Sequence, residues 1–592
     1  MEVRRLFDFL DWQLQTNPRP DAVNIKKDGK WRHYSSKELA ETVNKVSLGL
    51  DALGVAKGDK IGVISGNRPE WNFVDLGTLQ IGAVVVPLYP TATAADYQYI
   101  LDHAEVKILF VENEAFLQKV LSVRDRLPHL RQIYSFEATS GAKPWQEVAE
   151  AGATGDPARL QALKNAVAPD DLATLVYTSG TTGNPKGVML SHDNVVSNIQ
   201  SVLKIKLFPE PAPGERYKAL SFLPLCHVFE RAAAYGYIYR SVGIYYAESL
   251  EKIADNLKEV RPDMFTTVPR LLEKVYDKIM AKGADLTGLR KKLFERSIAL
   301  GLQYGLPESR SLGYKIELAI LRKLVFSKWR DALGGNVKLI VSGGAALQPR
   351  LARIFHAAGV PVQQGYGMTE TSPVISALEA TPGARLDSVG RVVPGVEIKI
   401  HPEPGYPAGE GEICVRGRLV MKGYYKNPEA TAQTIDPDGF LHTGDIGKIE
   451  NGFLIITDRK KEIFKTSGGK YIAPQAIENL FKESPFIEQM MVVGENQKFP
   501  SALVVPAFAA LEEWCKKENV PYKLDHPRVK ALFDLEFQRF NERLAQFEKI
   551  KKYALVPNEW TIDSNELTPT LKLKRRVLNE KYAAQIAEFY KE

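Results

Sequence analysis

Residues 175–188 read Leu-Val-Tyr-Thr-Ser-Gly-Thr-Thr-Gly-Asn-Pro-Lys-Gly-Val, and few stretches restrict a chain more. The apolar run 172–177 predicts a buried strand. It feeds a loop of Gly, Thr and Ser, and a helix is expected to open near Ser191 and Asp193, both good N-cap types. Glycines such as Gly180 and Gly183 let a backbone bend tightly and turn its N–H groups toward an anion. Thr178, Ser179, Thr181 and Thr182 add hydroxyl donors, and Lys186 adds charge. This is the composition of a phosphate cradle. It is not a Walker A loop, which needs Gly before the Lys and Ser or Thr after it, whereas Pro185 and Gly187 flank Lys186. The plainer alternative is a Gly/Thr-rich surface turn; eleven residues of these types in this order weigh against it.

A chain of 592 residues is too long for one core and predicts two or more domains. Its net charge of +7 suits an enzyme of anionic substrates and argues against a nucleic-acid partner. Cys226, Cys414 and Cys515 lie far apart with no metal-ligand spacing, which predicts a reducing compartment. The N-terminal residues lack a secretory h-region, and no run reaches the ~20 apolar residues of a spanning helix. A cytoplasmic protein is expected, with peripheral membrane contact and a homodimer both left open.

Up to about residue 165, strand-like runs at 60–65, 82–88 and 106–111 alternate with helical patterns at 70–80 and 94–103, as in a layered α/β sheet. Residues 152–171 read as a connection, and the prolines of 208–215 as a loop. Further strands are expected at 219–223, 243–247, 264–268 and 337–341, with a long charged helical region at 270–333 between the last two. After Thr381 short strands such as 396–400 and 412–416 suggest a small β subdomain. The charged segment at 458–462 marks the main boundary, giving domains 1–457 and 458–592.

A second constellation, Gln-Gly-Tyr-Gly-Met-Thr-Glu-Thr-Ser-Pro at 364–373, offers Tyr366 to stack on a base between Gly365 and Gly367. Thr369 could donate to a phosphate, and Glu370 is a hard oxygen ligand for Mg²⁺. A third runs from 438 to 461, where Asp445 could accept two ribose hydroxyls and Arg459 is a planar, always-charged donor. Ser342, Gly343, Gly344 and Ala345 follow a strand and would let a flat base lie against backbone. Each has an ordinary alternative as a turn or hairpin.

Together these stretches resemble the adenylate-forming enzymes: acyl-CoA synthetases, luciferases and peptide-synthetase adenylation domains. The run 438–461 is similar to the signature of the long-chain fatty acyl-CoA synthetase branch. The resemblance implies an α/β fold: a large N-terminal domain of α/β subdomains plus a small β-barrel, then a smaller mobile α+β C-terminal domain. It implies ATP-dependent activation of a long-chain fatty acid through an acyl-adenylate to acyl-CoA, with Mg²⁺ as cofactor and ATP and CoA as co-substrates. His227, within 225–231, matches the motif lining the carboxylate end of the acyl pocket. Lys572 matches the C-terminal lysine that reaches the active site; Leu571 stands where Gly is usual, so Lys574 stays open as the alternative. Asp458 aligns with the hinge. Ser467, Gly468 and Gly469, in the loop 466–470, face the site in the thioester step, and Tyr471 stands where some members carry a tunnel-closing Trp. Two rivals remain. One is an enzyme that stops at acyl-AMP or feeds a carrier protein. The other is a non-enzymatic nucleotide sensor or membrane scaffold, which need not keep Lys572, Glu370 and Asp445 together.

Residues 314–330 pair apolar positions with Lys315, Arg322, Lys323, Lys328 and Arg330, and one acid, Glu317. Such a helix either lies on an anionic bilayer or packs its apolar face on the core with its charges solvated.

Overall fold

The computed structural model describes residues 2–178, 184–205, 211, 214–305, 311–379, 385–404, 406–460, 462–562, 564–568 and 572–591. The expected α/β alternation is present. Strands Lys60–Ile64, Val84–Leu88 and Val106–Val111 lie parallel, with helices Pro69–Gln80 and Ala94–His103 between them in sequence. They form the middle of an eight-stranded sheet. Its other half contains Leu172–Thr178, paired antiparallel with Lys186–Ser191, and the short strand Gly423–Tyr424 at the edge.

A nine-stranded sheet collects Lys218–Ser221, Gly243–Tyr246, Met264–Thr267, Leu339–Ser342 and Val362–Gly367, all parallel to one another. Two strands that the sequence pattern does not reveal, Val23–Lys27 and Lys30–Tyr34, close its far edge, with Val23 beside Ile244. Residues 152–171 are more ordered than a connection: Asp156 caps a helix, Pro157–Asn165, that opens on proline. Of the proline loop at 208–215, residues 208–210, 212 and 213 lie outside the described residues.

The charged region after 269 is helical as expected, in Pro269–Ala284, Gly288–Leu302, Leu312–Leu321 and Ser327–Ala332. The small β region is a four-stranded sheet of Val396–Pro402, Glu410–Gly417, Leu441–Glu450 and Phe453–Arg459, in that order. Further on, Ile487–Val493, Ser501–Pro506 and Lys552–Leu555 make a three-stranded sheet backed by helices Pro474–Phe481 and Pro527–Asn541. Two compact units interleave along the chain. One comprises residues 1–269, 292–398 and 415–442, the other 270–291, 399–414 and 443–592. No described helix is long and apolar enough to cross a membrane.

A buried charge network fixes the first unit around the strand that leads into the Gly/Thr loop. Arg231 donates to Asp75, to the Thr174 hydroxyl at 2.7 Å and to the Tyr235 hydroxyl at 3.0 Å, and lies over the Trp71 ring. Thr174 in turn donates to the Val85 carbonyl at 2.6 Å. Asp75 and Arg231 are both buried, so removing one partner strands the other charge in apolar surroundings. Asp75→Ala is expected to cost about 3–5 kcal/mol, read from the denaturant midpoint. A loss under 1 kcal/mol would mean that water reaches Arg231.

Candidate active site

The strands on either side of the Gly/Thr loop pair antiparallel. Leu172–Thr178 and Lys186–Ser191 pair so that Tyr177 faces Gly187 and Thr178 faces Lys186. Ser179, Gly180, Thr181, Thr182 and Gly183 lie outside the described residues. The helix opens where expected, but one strand later than the loop: Ser191 caps His192–Lys204, its hydroxyl accepting from Asn194 N–H and Asn194 Oδ1 accepting from Ser191 N–H. Tyr177, buried at the mouth of the hairpin, holds His103 Nδ1 at 2.7 Å.

Lys186 does not stand alone. Its ammonium lies 4.9 Å from the centroid of the Tyr424 ring. The Tyr424 hydroxyl donates to Glu370 Oε1 at 2.9 Å, and burial beside Glu370 pushes that hydroxyl far up, so it stays a donor. The Gly423–Tyr424 edge strand sets this geometry by pairing with Met189 and Val188. A single chain of contacts, Lys186 to Tyr424 to Glu370, therefore joins the lysine after the Gly/Thr loop to the candidate metal ligand. Tyr424 escapes a reading of the sequence because Glu370 lies 54 residues away. Its only local signal is an aromatic pair directly after Gly423.

Glu370 and Thr369 are buried in the short turn Thr369–Thr371 that follows Val362–Gly367. Tyr366 and Gly367 end that strand, half-buried and exposed respectively. Gly367 is obligatory here, since a Cβ would fall 1.7 Å from the Pro373 carbonyl oxygen. The neighbouring strand Leu339–Ser342 lies parallel to it with Ser342 beside Gln364. Gly343, Gly344 and Ala345 thus leave the sheet at the same end as Tyr366, and Gly344 has φ +79. In parallel sheets ligands gather outside the carboxyl ends of the strands.

His227 reaches that end from another strand. After Lys218–Ser221 it caps helix Val228–Tyr239, with Nδ1 accepting from Phe229 N–H at 3.1 Å. That bond sets the neutral ring's proton on Nε2. The Phe229 ring lies 3.1 Å from where a Cβ on Gly343 would sit, so the His227 turn packs against the Gly343 turn. Glu230, one residue further, went unassigned from sequence. It is buried and accepts from Ser221 at 2.6 Å and from Thr266, tying the helix to two strand ends. Burial pushes its carboxyl up to about 7.

In the second unit the hairpin brings Asp445 and Arg459 into register, and Arg459 Nε donates to Asp445 Oδ1 at 2.9 Å. Asp458, next along, accepts from Arg459 N–H at 2.7 Å and from the Tyr406 hydroxyl at 3.2 Å. Burial outweighs both donors, and with Glu462 nearby it raises the Asp458 carboxyl from 3.8 to about 7. The folded state thus holds this proton more tightly than the unfolded chain. Its contribution to stability is fully present below about pH 4, falls as pH rises, and is gone above about pH 7. Asp458→Asn should flatten that portion of the curve of denaturant midpoint against pH; an unchanged slope would place the titration elsewhere.

Ser467, Gly468 and Gly469 form a tight turn between the paired strands Phe464–Lys465 and Tyr471–Ile472. Thr466 N–H donates to the Lys470 carbonyl at 2.9 Å, Ser467 N–H to the Gln497 carbonyl at 2.9 Å, and Lys465 lies over the Tyr471 ring. Lys572 pairs with Thr568, its N–H on the Thr568 hydroxyl at 3.0 Å and its carbonyl accepting from Thr568 N–H at 2.8 Å; residues 569–571 lie outside the described residues. The Lys574 ammonium donates to Asn565 Oδ1 at 2.5 Å.

The AMP-binding enzyme pattern matches residues 10–425, and the AMP-binding enzyme C-terminal domain matches 461–592. The chain belongs to the AMP-binding enzyme family. This AMP-binding enzyme is 34% identical over 583 residues to the long-chain-fatty-acid–CoA ligase FadD15 of Mycobacterium tuberculosis, covering 96% of this chain and 95% of that protein. It is 34% identical over 620 residues to the human long-chain-fatty-acid–CoA ligase 1, covering 100% of this chain and 87% of that one. Among solved structures, the adenylation domain of a carboxylate reductase from Mycobacterium chelonae superposes with a TM-score of 0.77 at 22% identity, over 99% of this chain and 91% of that one. The anthranilate CoA ligase AuaEII, in complex with anthranoyl-AMP, gives 0.73 at 19%, over 98% and 97%. The mixed α/β fold with a large N-terminal and a smaller C-terminal domain is that of these proteins.

The donor set of this AMP-binding enzyme around Glu370 suits Mg²⁺ of one particular kind. One buried carboxylate, steadied by the Tyr424 hydroxyl, is the protein share expected when nucleotide phosphates and water complete an octahedral oxygen shell. It is too few ligands for an all-protein cage.

Proposed function

We infer that the chain is an AMP-forming long-chain fatty acid–CoA ligase. The observation that carries the reading is the Lys186–Tyr424–Glu370 chain, which links the lysine after the Gly/Thr loop to a buried carboxylate within an AMP-binding enzyme. The names of the relatives, at 34% identity over nearly their whole length, support a long-chain acid as substrate.

The chemistry follows from charge. ATP and a fatty carboxylate are both anions, so attack of a carboxylate oxygen on the α-phosphorus builds charge that the site must offset. That oxygen–phosphorus bond forms as the bond to the pyrophosphate oxygen breaks, giving acyl-AMP. The CoA sulfur, as thiolate, then attacks the acyl carbonyl, and AMP leaves.

In this reading Thr178 to Gly183 and Lys186 hold the phosphates, and Tyr424 fixes the Lys186 ammonium against Glu370. A Mg²⁺ ion held by Glu370 would neutralise phosphate charge and orient the leaving pyrophosphate. Thr369 donates to a phosphate. Tyr366, Gly367, Gly343, Gly344 and Ala345 seat the adenine, and Asp445, aligned by Arg459, takes the ribose hydroxyls. His227 presents Nε2–H to the acid's carboxylate, and Lys572 meets the α-phosphate. The domain from 458 onward turns about Asp458 between the steps, so that Ser467, Gly468 and Gly469, with Tyr471, serve the thioester step. Three buried cysteines that form no disulfide suit the cytoplasm.

A pyrophosphate-release screen across carboxylic acids of rising chain length, with CoA thiol consumption followed in parallel, tests the assignment. Release that peaks with long-chain acids and matches thiol loss supports it. Release without thiol loss would favour an enzyme that stops at acyl-AMP or passes the acyl group to a carrier.

A further inference from the structure

Helix Leu312–Leu321 and the segment after it have two apolar faces, of which the described residues bury one. Leu318, Leu321, Phe326 and Trp329 are buried. Arg322 donates to the carbonyls of Ala357 at 2.7 Å and His356 at 3.0 Å, and Arg330 to that of Ala358 at 3.2 Å, so both guanidinium groups cap helix Pro349–Ala357. These two cations, expected from sequence to face a bilayer or solvent, belong to the core side.

The other face holds Leu312, Ile316, Ile320 and Leu324, which are 75, 55, 52 and 53% exposed. Their four-residue spacing would drift by about 40° per step around an α-helix. A single wider, π-type turn at Arg322–Phe326 offsets that drift, bringing Leu324 back into line with Ile320. Exposed Lys315, Lys323 and Lys328 accompany the stripe. The one acid between Leu312 and Lys328 is Glu317, and it is neutralised by Arg296 at 2.5 and 2.7 Å.

We propose that this stripe docks the protein on an anionic lipid bilayer, with the four aliphatic side chains entering the interface and the three lysines meeting lipid phosphates. The chemistry fits one occupant. Leu and Ile at the end of each turn, with lysines beside them and no uncompensated acid, match an apolar layer under a negative surface. A second copy fits poorly, because a two-fold contact through this face would set lysine against lysine. The benefit rests on the proposed function: a long-chain acid resides in membranes, and an enzyme collecting it gains from lying there.

Co-sedimentation of the full chain with vesicles decides it, using phosphatidylcholine alone and an equimolar mixture with phosphatidylglycerol, without ATP or fatty acid. Wild type should bind the mixed vesicles, more weakly as salt rises. The triple variant K315Q/K323Q/K328Q should lose roughly fivefold per lysine on mixed vesicles. The quadruple variant L312Q/I316Q/I320Q/L324Q should lose binding to both kinds. Equal sedimentation of wild type and both variants would overturn the proposal. So would a concentration-dependent dimer, seen by analytical ultracentrifugation, that the quadruple variant abolishes. Ligase activity on detergent-dispersed acid, unchanged in both variants, shows that they fold. Vesicle binding is read without substrate, so its outcome stands apart from the outcome of the ligase assay.

Discussion

Replacing Lys572 with Ala is expected to lower acyl-adenylate formation by about 10²–10³-fold while leaving thioester formation from supplied acyl-AMP nearly intact. In the proposed reading the lysine's charge matters where charge builds on the α-phosphate, and the second step starts after that charge has gone. Lys574 spends its ammonium on Asn565, in the same segment, and its N–H on the Glu566 carbonyl. The Lys572 backbone is held by the Thr568 hydroxyl and by an isolated bridge between Leu567 and Leu573. Three residues on, Arg575 is clamped to Glu478 at 2.8 Å and to Glu462 at 3.1 Å. Lys574→Ala should lose a few-fold at most. A larger loss in Lys574→Ala than in Lys572→Ala would reverse the assignment. The half-reactions, read as pyrophosphate exchange and as thioester formed from acyl-AMP, separate the cases.

Glu370→Gln should cost about a hundredfold in adenylation and raise the Mg²⁺ concentration needed for half-maximal rate. The amide keeps the shape and can still accept from Tyr424, so only the charge is removed. Tyr424→Phe makes the complementary cut. It keeps the ring under Lys186 but takes away one hydrogen bond to a charged group, worth about 1.5–3 kcal/mol and hence roughly tenfold or more. Its Mg²⁺ requirement should move in the same direction as that of Glu370→Gln. Unchanged Mg²⁺ dependence in Glu370→Gln would take Glu370 out of the metal site, and with it the reason for Tyr424.

How much of this was legible in the sequence depends on how far apart the partners lie. Ser191 and Asn194 sit three residues apart, and the helix start they encode is read directly. Asp445 and Arg459 end one hairpin, so their pairing follows from local register. The helix start at Ser191 is as expected, but the strand Lys186–Ser191 before it is not legible, since Pro185 and Gly187 break its pattern and pairing with Leu172–Thr178 holds it. Val23–Lys27 was missed although Asp28 and Gly29, both at positive φ, make a hairpin turn whose residue types are visible. Its place in the sheet depends on Ile244, more than 200 residues on, and no local pattern gives that. Tyr424, Glu230 and the Asp75–Arg231 pair were missed for the same reason. Each acquires meaning only when burial and a distant partner are known. The basic helix was legible in composition and not in direction, since only packing shows that Arg322 and Arg330 turn inward while Lys315, Lys323 and Lys328 do not.

The central claim is that a fatty carboxylate attacks the α-phosphorus of ATP. A long-chain fatty acid labelled with ¹⁸O in its carboxylate, turned over with ATP and CoA, tests it through mass spectrometry of the products. The account predicts one ¹⁸O atom transferred to AMP, with unlabelled pyrophosphate. Label in orthophosphate alongside ADP, or AMP formed without label, would contradict it.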